Sequence, residues 1–132
     1  MPKPLDILAV TSDVASYLQA QGFGVVGKTI YKGPIPAQPL AVIGVLITGG
    51  SETRGDPLRR PSLQILCRDA SDRWMPVLAV AQRIWALFDQ KVPPLASTRA
   101  RFVPDHVPGP WYRDVNQNVV ATLNFGLVVN PA

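Results

Sequence analysis

The sequence has few of the side chains that catalysis and metal binding require. Its 132 residues include one cysteine, Cys67, and one histidine, His106. A single cysteine excludes a disulfide within the chain, and a structural zinc site usually needs four Cys or His ligands. Charged residues make up only 17% of the chain, and the net charge of +4 is a mild excess. A charge of this size permits contact with nucleic acid but does not require it.

The sequence also lacks a long apolar run. The longest stretch, residues 40–47, is far shorter than the about 20 residues that span a bilayer. No stretch near the start joins basic residues to an apolar segment and a small-residue cleavage site, so no secretory signal is visible. We therefore expect a soluble, cytosolic protein without a membrane partner. The length fits a single domain, 1–132.

Two segments have the periodicity of amphipathic helices. Apolar residues recur at helical spacing over residues 5–21, and Gly22 suits the end of that helix. A second helix is predicted within residues 71–90, where Ser71 or Asp72 can act as the N-cap. Its apolar stripe consists of Trp74, Val77, Leu78, Ala81, Ile84, Trp85 and Phe88.

Five segments favour β-strands. They are residues 23–33, with Gly27 as a bulge, and residues 41–48, 63–68, 100–103 and 119–129. In the last strand apolar residues occupy every second position from Val119 to Val129, and Cys67 shares the inward-facing parity of its own strand. Short links between consecutive strands favour antiparallel pairing. We therefore predict an α+β fold, a mostly antiparallel β-sheet with two α-helices packed on one face.

Loops of about residues 48–61 and 104–118 are long for a small domain. The first has a glycine-rich start but lacks the Gly-Lys-Ser/Thr ending of a phosphate loop, and it precedes a strand instead of a helix. Its tripeptide Arg54-Gly55-Asp56 matches a cell-adhesion motif, but three residues match often by chance. A flexible turn explains the tripeptide equally well.

Two sets of residues leave a nucleic-acid reading open. Arg54, Arg59, Arg60 and Arg68 can form a basic patch, although no predicted helix carries a basic stripe. The pair Trp111 and Tyr112 can stack on bases, anchor a protein interface or plug a local core.

Catalytic candidates are weak by comparison. His106 lies in a proline-rich loop with no Ser, Cys or acid arranged to relay a proton, and we interpret it as an exposed loop histidine. Cys67 is interpreted as a buried structural thiol. We therefore expect neither catalysis nor a cofactor, and we assign the long loops to protein contacts. The interface hypothesis comprises Arg54, Asp56, Arg59, Arg60, Trp111 and Tyr112.

The order of these segments resembles a known family. A first helix reads ILAVTSDVASYLQAQGFG, GG…DPLRRPSLQILCRD leads into a long helix, and PGPWYRDVNQN precedes the final strand VVATLNFGLVV. This layout, together with the Gly-Gly, Pro–Leu–Gln–Ile and Arg68 pattern, resembles the tail terminator (minor capsid, tail completion) proteins of long-tailed bacteriophages. Relatives often carry a Gly-Arg-Asp turn where this chain has Tyr112-Arg113-Asp114.

The resemblance implies a structural role in the virion. Such proteins form a ring, usually a hexamer, on the head-proximal end of the tail tube, where the ring stops tube growth. The implied partners are further copies of the chain, the tail tube protein and the head–tail connector or head completion protein. DNA passes through the ring without specific binding, and we expect the arginines outside the bore. Assembly takes place in the host cytoplasm.

Two alternatives stay open from the sequence. One is another phage neck or tail component, such as a head completion protein or a tail tube subunit, which would share the layout and the lack of catalytic groups. The other is a small nucleic-acid-binding domain.

Overall fold

The structure is a computed structural model that describes residues 7–51, 60–69, 73–107, 111–114 and 116–129. The elements follow in the order α1 (Ile7–Ala20), β1 (Ile30–Lys32), β2 (Val42–Ser51), β3 (Arg60–Arg68), α2 (Trp74–Phe88), β4 (Ala100–Pro104), β5 (Trp111–Arg113) and β6 (Val119–Val129). The predicted α+β class is confirmed. In the described part of the chain, no helix has the length and apolarity needed to cross a membrane.

The strands form one sheet in the order β1-β2-β3-β6-β4, with β5 also paired to β6. All pairs are antiparallel except β1 with β2, which run parallel. Strand β6 contacts β3 on one side, and on its other side it contacts β4 and β5 in succession. Its 11 residues are therefore used within the chain. The length of β6 is therefore accounted for by pairing within the chain and does not by itself indicate a neighbouring subunit.

Both helices pack on the same face of the sheet, as predicted. The predicted alternation of β6 is confirmed, because every second residue from Val119 to Leu127 is buried in this core. The core also contains an aromatic cluster centred on Phe88, whose ring lies 4.7 Å from that of Phe102 and 5.8 Å from that of Phe125. Other core residues on the helices and on β3 are Val10, Val14, Leu18, Leu63, Ile65, Cys67, Val77, Ala81 and Ile84.

The end of α1 is set by Gly22, as the sequence predicted. Gly22 has a φ of 86°, its N–H donates to the carbonyl of Gln19, and the N–H of Phe23 donates to the carbonyl of Leu18. These two bonds form a Schellman motif, which satisfies carbonyls that the helix leaves open. A residue with a Cβ is disfavoured at this left-handed position, so glycine ends the helix here.

The predicted strand over residues 23–33 is mostly wrong. Only Ile30–Lys32 is a strand, and the preceding residues form a tight turn in which the N–H groups of Lys28, Thr29 and Ile30 all approach the carbonyl of Val25. Gly27 has a φ of 87° and belongs to this turn, not to a bulge. The β-branched residues favoured a strand locally, but the positive φ at glycine reverses the chain.

Both predicted loops are shorter than expected. Strand β2 continues to Ser51 and β3 starts at Arg60, so the connection between them is reduced to residues 52–59, which lie outside the described residues. The predicted irregular connection 104–118 contains β5, which pairs with the first residues of β6. A three-residue strand has no periodicity that a sequence can reveal.

The start of α2 departs from the prediction in two ways. The N-cap residue is Arg73, which makes no side-chain capping bond, while Ser71 and Asp72 lie outside the described residues. Trp74 was assigned to the buried stripe, yet 44% of its surface is exposed. The buried residues of the helix begin at Val77, one turn later. Helical spacing alone cannot show where along the helix contact with the sheet begins.

Candidate assembly surfaces

On the sheet face opposite the helices, the side chain of Arg68 makes several hydrogen bonds. It lies at the end of β3, and its guanidinium is almost fully enclosed. Its Nε donates to the carbonyl of Leu40 at 2.8 Å, and its Nη2 donates to the carbonyls of Pro36, Ala37 and Pro39. Its Nη1 reaches Oδ2 of Asp114 at 3.4 Å. We call Arg68, Asp114 and the segment 36–40 the arginine clamp.

Asp114 connects this clamp to the turn before β6. Its Oδ1 accepts hydrogen bonds from the N–H groups of Asn116 and Asn118, each at 2.9 Å. Burial on its own raises the pKa of Asp114, but these two hydrogen bonds and the charge of Arg68 together hold it below its ordinary value of 3.8. The carboxylate is therefore ionised at neutral pH and fixes both the turn and the guanidinium.

The arginine clamp corrects the predicted basic patch. Arg68 was grouped with the arginines of the preceding loop as a surface that could contact DNA phosphates. Its residue surface is only 6% exposed and its donors are directed to backbone carbonyls and one carboxylate. A guanidinium in this position organises its own fold and offers no charge to a partner.

The six residues of the interface hypothesis are distributed unevenly over the structure. Arg54, Asp56 and Arg59 lie outside the described residues. Arg60 is the first residue of β3, where it pairs with Ser51, and Trp111 is the first residue of β5. Only Tyr112 has a described side chain, and 46% of its surface is exposed. The hypothesis for these residues stays a prediction.

His106 is exposed, as predicted, and it belongs to a row of polar side chains. Its Nδ1 lies 2.7 Å from the carbonyl of Val107, and its Nε2 lies 3.2 Å from Nδ2 of Asn124. The Oδ1 of Asn124 in turn accepts a hydrogen bond of 3.1 Å from Gln64. The contact at Nε2 holds the segment after β4 against β6, and the contact at Nδ1 lies within that segment.

Cys67 is buried in the core, which confirms its interpretation as a structural thiol. Burial raises the pKa of this thiol to about 12, so it stays protonated at neutral pH. Within the described ranges, no group of three or more His, Cys, Asp or Glu side chains is arranged to hold a metal ion.

Two open grooves mark the surface. One, of about 540 Å³, lies at the start of α2 and is lined by Arg73, Trp74, Met75, Pro76 and Arg113. The second, which we call the edge groove, has a similar volume of about 540 Å³ and lies between α1 and the β1–β2 edge. It is lined by Leu8, Thr11, Ser12, Lys32, Gly33, Val45, Leu46 and Ile47. Neither groove is visible in the sequence, because each one joins elements that are distant in the chain.

Exposed apolar residues accompany these grooves. Met75 is 61% exposed beside the first groove, and Leu8 is 80% exposed in the edge groove. Val107, in the segment after β4, is 70% exposed. Single exposed apolar residues are common, but apolar residues at the rim of a groove are typical of surfaces that contact other proteins.

Comparison with protein families gives a match over most of the chain. Residues 17–130 match the model of a family described as bacteriophage tail terminator protein. The chain belongs to the tail terminator family. The resemblance inferred from the sequence layout is thereby confirmed, and the family is one of structural phage tail proteins.

The fold of this tail terminator family member also occurs in a solved particle. A chain from a structure titled "Virion of native gene transfer agent (GTA) particle" aligns with a TM-score of 0.57 and 10% sequence identity. The alignment covers 96% of this chain and 100% of that chain. At this identity the likeness concerns the fold alone. Among curated proteins, none matches the sequence.

Proposed function

We propose that this tail terminator family member forms a ring, most simply a hexamer, on the head-proximal end of a phage tail tube. The observation that carries the proposal is the family match over residues 17–130, which includes nearly all the described elements. The ring stops growth of the tube and provides the face to which the head–tail connector or head completion protein binds. The chain acts through shape and contact, without a catalytic step or a cofactor.

DNA passes through the ring in this proposal without specific binding. Each phosphate contact by an arginine or lysine adds salt-sensitive affinity, which would slow DNA that has to leave the particle. The enclosure of Arg68 supports the proposal, because it removes one cation from the surface. We expect Arg59 and Arg60 on contacts between proteins and not in the bore. The protein is assembled in the host cytoplasm and stays in the virion.

The loop between β2 and β3 is proposed as a contact with a neighbouring copy or with the tail tube. Pairing of β3 with β6 ends at Ser62–Gly126, whereas its pairing with β2 continues to Arg60–Ser51. The loop therefore starts from a two-stranded extension that leaves the rest of the sheet. Such an extension suits a contact with a neighbour, and Arg54, Asp56, Arg59 and Arg60 supply its polar contacts. Trp111 and Tyr112 are proposed at a second contact.

A charge-reversal experiment tests the loop. We expect the double variant Arg59→Glu/Arg60→Glu to keep the circular dichroism spectrum and unfolding midpoint of the wild type but to lose ring formation. Lys28→Glu/Arg99→Glu is the matched control, because it reverses two exposed charges outside the loop. Sedimentation velocity and electron microscopy with purified tail tubes measure assembly. Normal rings and joined heads with the loop variant would show that the loop contact is wrong.

The role in tail termination has its own test. Particles assembled without this chain should have tails of irregular length that do not join heads. Tails of normal length in its absence would contradict the proposed function, and salt-dependent DNA binding by the isolated monomer would favour the nucleic-acid alternative instead.

A further inference from the structure

We propose that copies of this chain join head to tail through opposite edges of the sheet, with residues 105–107 of one copy seated in the edge groove of the next. The inference rests on the proposed ring and names the surfaces that would close it. It is carried by three observations: a strand edge with no neighbour among the described residues, an exposed loop that is hydrogen-bonded to its own sheet, and opposite charges on the two.

The edge groove exists because β1 is shorter than β2. The pairing of β1 with β2 ends at Lys32–Val45. Beyond it, Leu46 and Ile47 have no strand neighbour on this edge among the described residues. The gap is bounded by α1, which contributes Leu8, and by the exposed Lys32. In the part of the chain that the structure describes, the groove thus combines an apolar wall with the cationic side chain of Lys32.

The proposed occupant is a short loop that its own chain already holds in place. The N–H of Asp105 donates to the carbonyl of Asn124 at 2.9 Å. His106 bonds to Asn124 on one side of its ring and approaches the carbonyl of Val107 on the other. Asp105 and Val107 are both exposed. A loop ordered before binding loses little conformational entropy when it is bound.

The two surfaces complement each other. Val107 offers an apolar side chain to Leu8 and Ile47, and Asp105 offers a carboxylate to Lys32. Opposite charges at such a contact set its register and exclude wrong partners.

The position of the two surfaces favours a ring. The sheet order places β1 at one edge and β4, which leads into the loop, at the other. A contact between two different patches is heterologous, and repetition of a heterologous contact closes a ring when the rotation permits.

Direct pairing of two β4 edges is disfavoured. The N–H of Phe102 already donates to the carbonyl of Lys91 at 2.9 Å, and Pro104 has no N–H to offer. The free edge of β4 is therefore blocked, whereas the loop that follows it projects. The blocked edge therefore favours association of copies through the loop and disfavours pairing of β4 with a strand of another copy.

A charge swap tests the contact. Lys32→Glu and Asp105→Lys each place like charges together, so each variant alone should associate at least about tenfold more weakly than the wild type. An equimolar mixture should recover rings, because copies that alternate bring Glu at position 32 against Lys at position 105 and Lys32 against Asp105. Lys28→Glu is the control, since Lys28 is exposed near β1 but does not line the groove, and it should assemble normally.

A cysteine pair gives a second measurement that does not depend on charge. A chain with Ser12→Cys and Val107→Cys should form a ladder of disulfide-linked multimers on oxidation, whereas Ser12→Cys alone should give dimers at most. Buried Cys67 does not interfere, because its thiol stays protonated.

The outcomes separate this contact from the ring itself. If both single charge variants form rings as the wild type does, and the cysteine pair gives no ladder, the proposed contact is wrong. The proposed ring itself is then unaffected. If the Lys32→Glu variant forms normal rings that fail to bind tail tubes, the edge groove binds the tube protein instead. This result would also show that the proposed contact between copies is wrong. A wild type that stays monomeric at every concentration and on tubes would overturn the ring and the contact together.

Discussion

The guanidinium Nη1 of Arg68 lies 3.4 Å from Oδ2 of Asp114, and the two side chains are 3% and 19% exposed. This pair joins the end of β3 to the turn before β6, and the remaining donors of Arg68 hold the proline-containing segment 36–40. One side chain therefore fixes two irregular segments on the sheet face that the helices leave uncovered. The segment 36–40 and the turn before β6 therefore depend on Arg68 for their position on this face.

Replacement of Arg68 by methionine should destabilise the fold strongly. The variant keeps most of the side-chain volume but leaves several carbonyls and the Asp114 carboxylate without their donor. We expect the free energy of unfolding to fall by about 3 kcal/mol. Arg101→Met is the control, because the exposed Arg101 donates only to the carbonyl of Gln90. Urea unfolding measures both, and equal midpoints for the two variants would contradict the role of the clamp.

Stability should fall at acid pH through Asp114 and Asp13. Burial alone raises the pKa of Asp13, but hydrogen bonds from Ser97 and Thr98 outweigh it and lower the pKa, as happens at Asp114. A carboxyl with a lowered pKa in the folded state contributes stability above its ordinary value of 3.8, and the contribution is lost as pH falls through the lowered pKa.

The measurement is the urea midpoint as a function of pH. Between about pH 4.5 and pH 2, the wild type should lose stability, and Asp13→Asn/Asp114→Asn should show a shallower decline. Parallel curves for the two proteins would exclude these carboxylates as the source.

Two glycines on the same face of the sheet should respond differently to alanine. At Gly44 an added Cβ would lie 2.5 Å from Cγ2 of Ile35 and 3.2 Å from the carbonyl oxygen of Gly33. At Gly126 the nearest atom, the carbonyl oxygen of Val103, is 3.9 Å away. We expect Gly44→Ala to cost about 1–3 kcal/mol and Gly126→Ala to be near neutral. Thermal unfolding of both variants tests this, and equal effects would show that the segment after β1 does not pack on Gly44.

The two ends of α2 should differ in their contribution to stability. Phe88 lies among the rings of Tyr17, Phe102 and Phe125, so Phe88→Ala should cost about 3–5 kcal/mol. Trp74 is half exposed in the first turn, and Trp74→Ala should cost less than about 1 kcal/mol. Chemical denaturation compares them. A larger loss at Trp74 would place the main packing of the helix at its start.

Much of the fold could be predicted because it depends on local periodicity. Two periodic patterns can be recognised in the sequence alone. They are the buried stripe of α2 from Val77 to Phe88 and the alternation of buried residues in β6. Gly22 ends α1 because only its backbone accepts the required φ. The inward parity of Cys67 follows from the same two-residue repeat.

Less of the candidate site could be predicted, because it depends on contacts between distant segments. Arg68 appeared in the sequence as one of several arginines near a loop, and only the positions of Leu40 and Asp114 explain its burial. The edge groove depends on the end of β1 at Lys32, just before Gly33 with its φ of 120°, while β2 continues to Ser51. No local pattern contains that information.

The sequence by itself determined the class of the fold, the burial of Cys67 and, through its layout, the tail terminator family. Each of these properties depends on residues that are close together in the sequence or on the order of the elements. Tertiary structure decided that Arg68 is a clamp and that β6 finds partners on both sides. It also decided that the edge groove with Lys32 and the loop with Asp105 lie at opposite edges of one sheet. These features depend on which strands pair, and strand pairing depends on interactions between segments that are distant in the sequence.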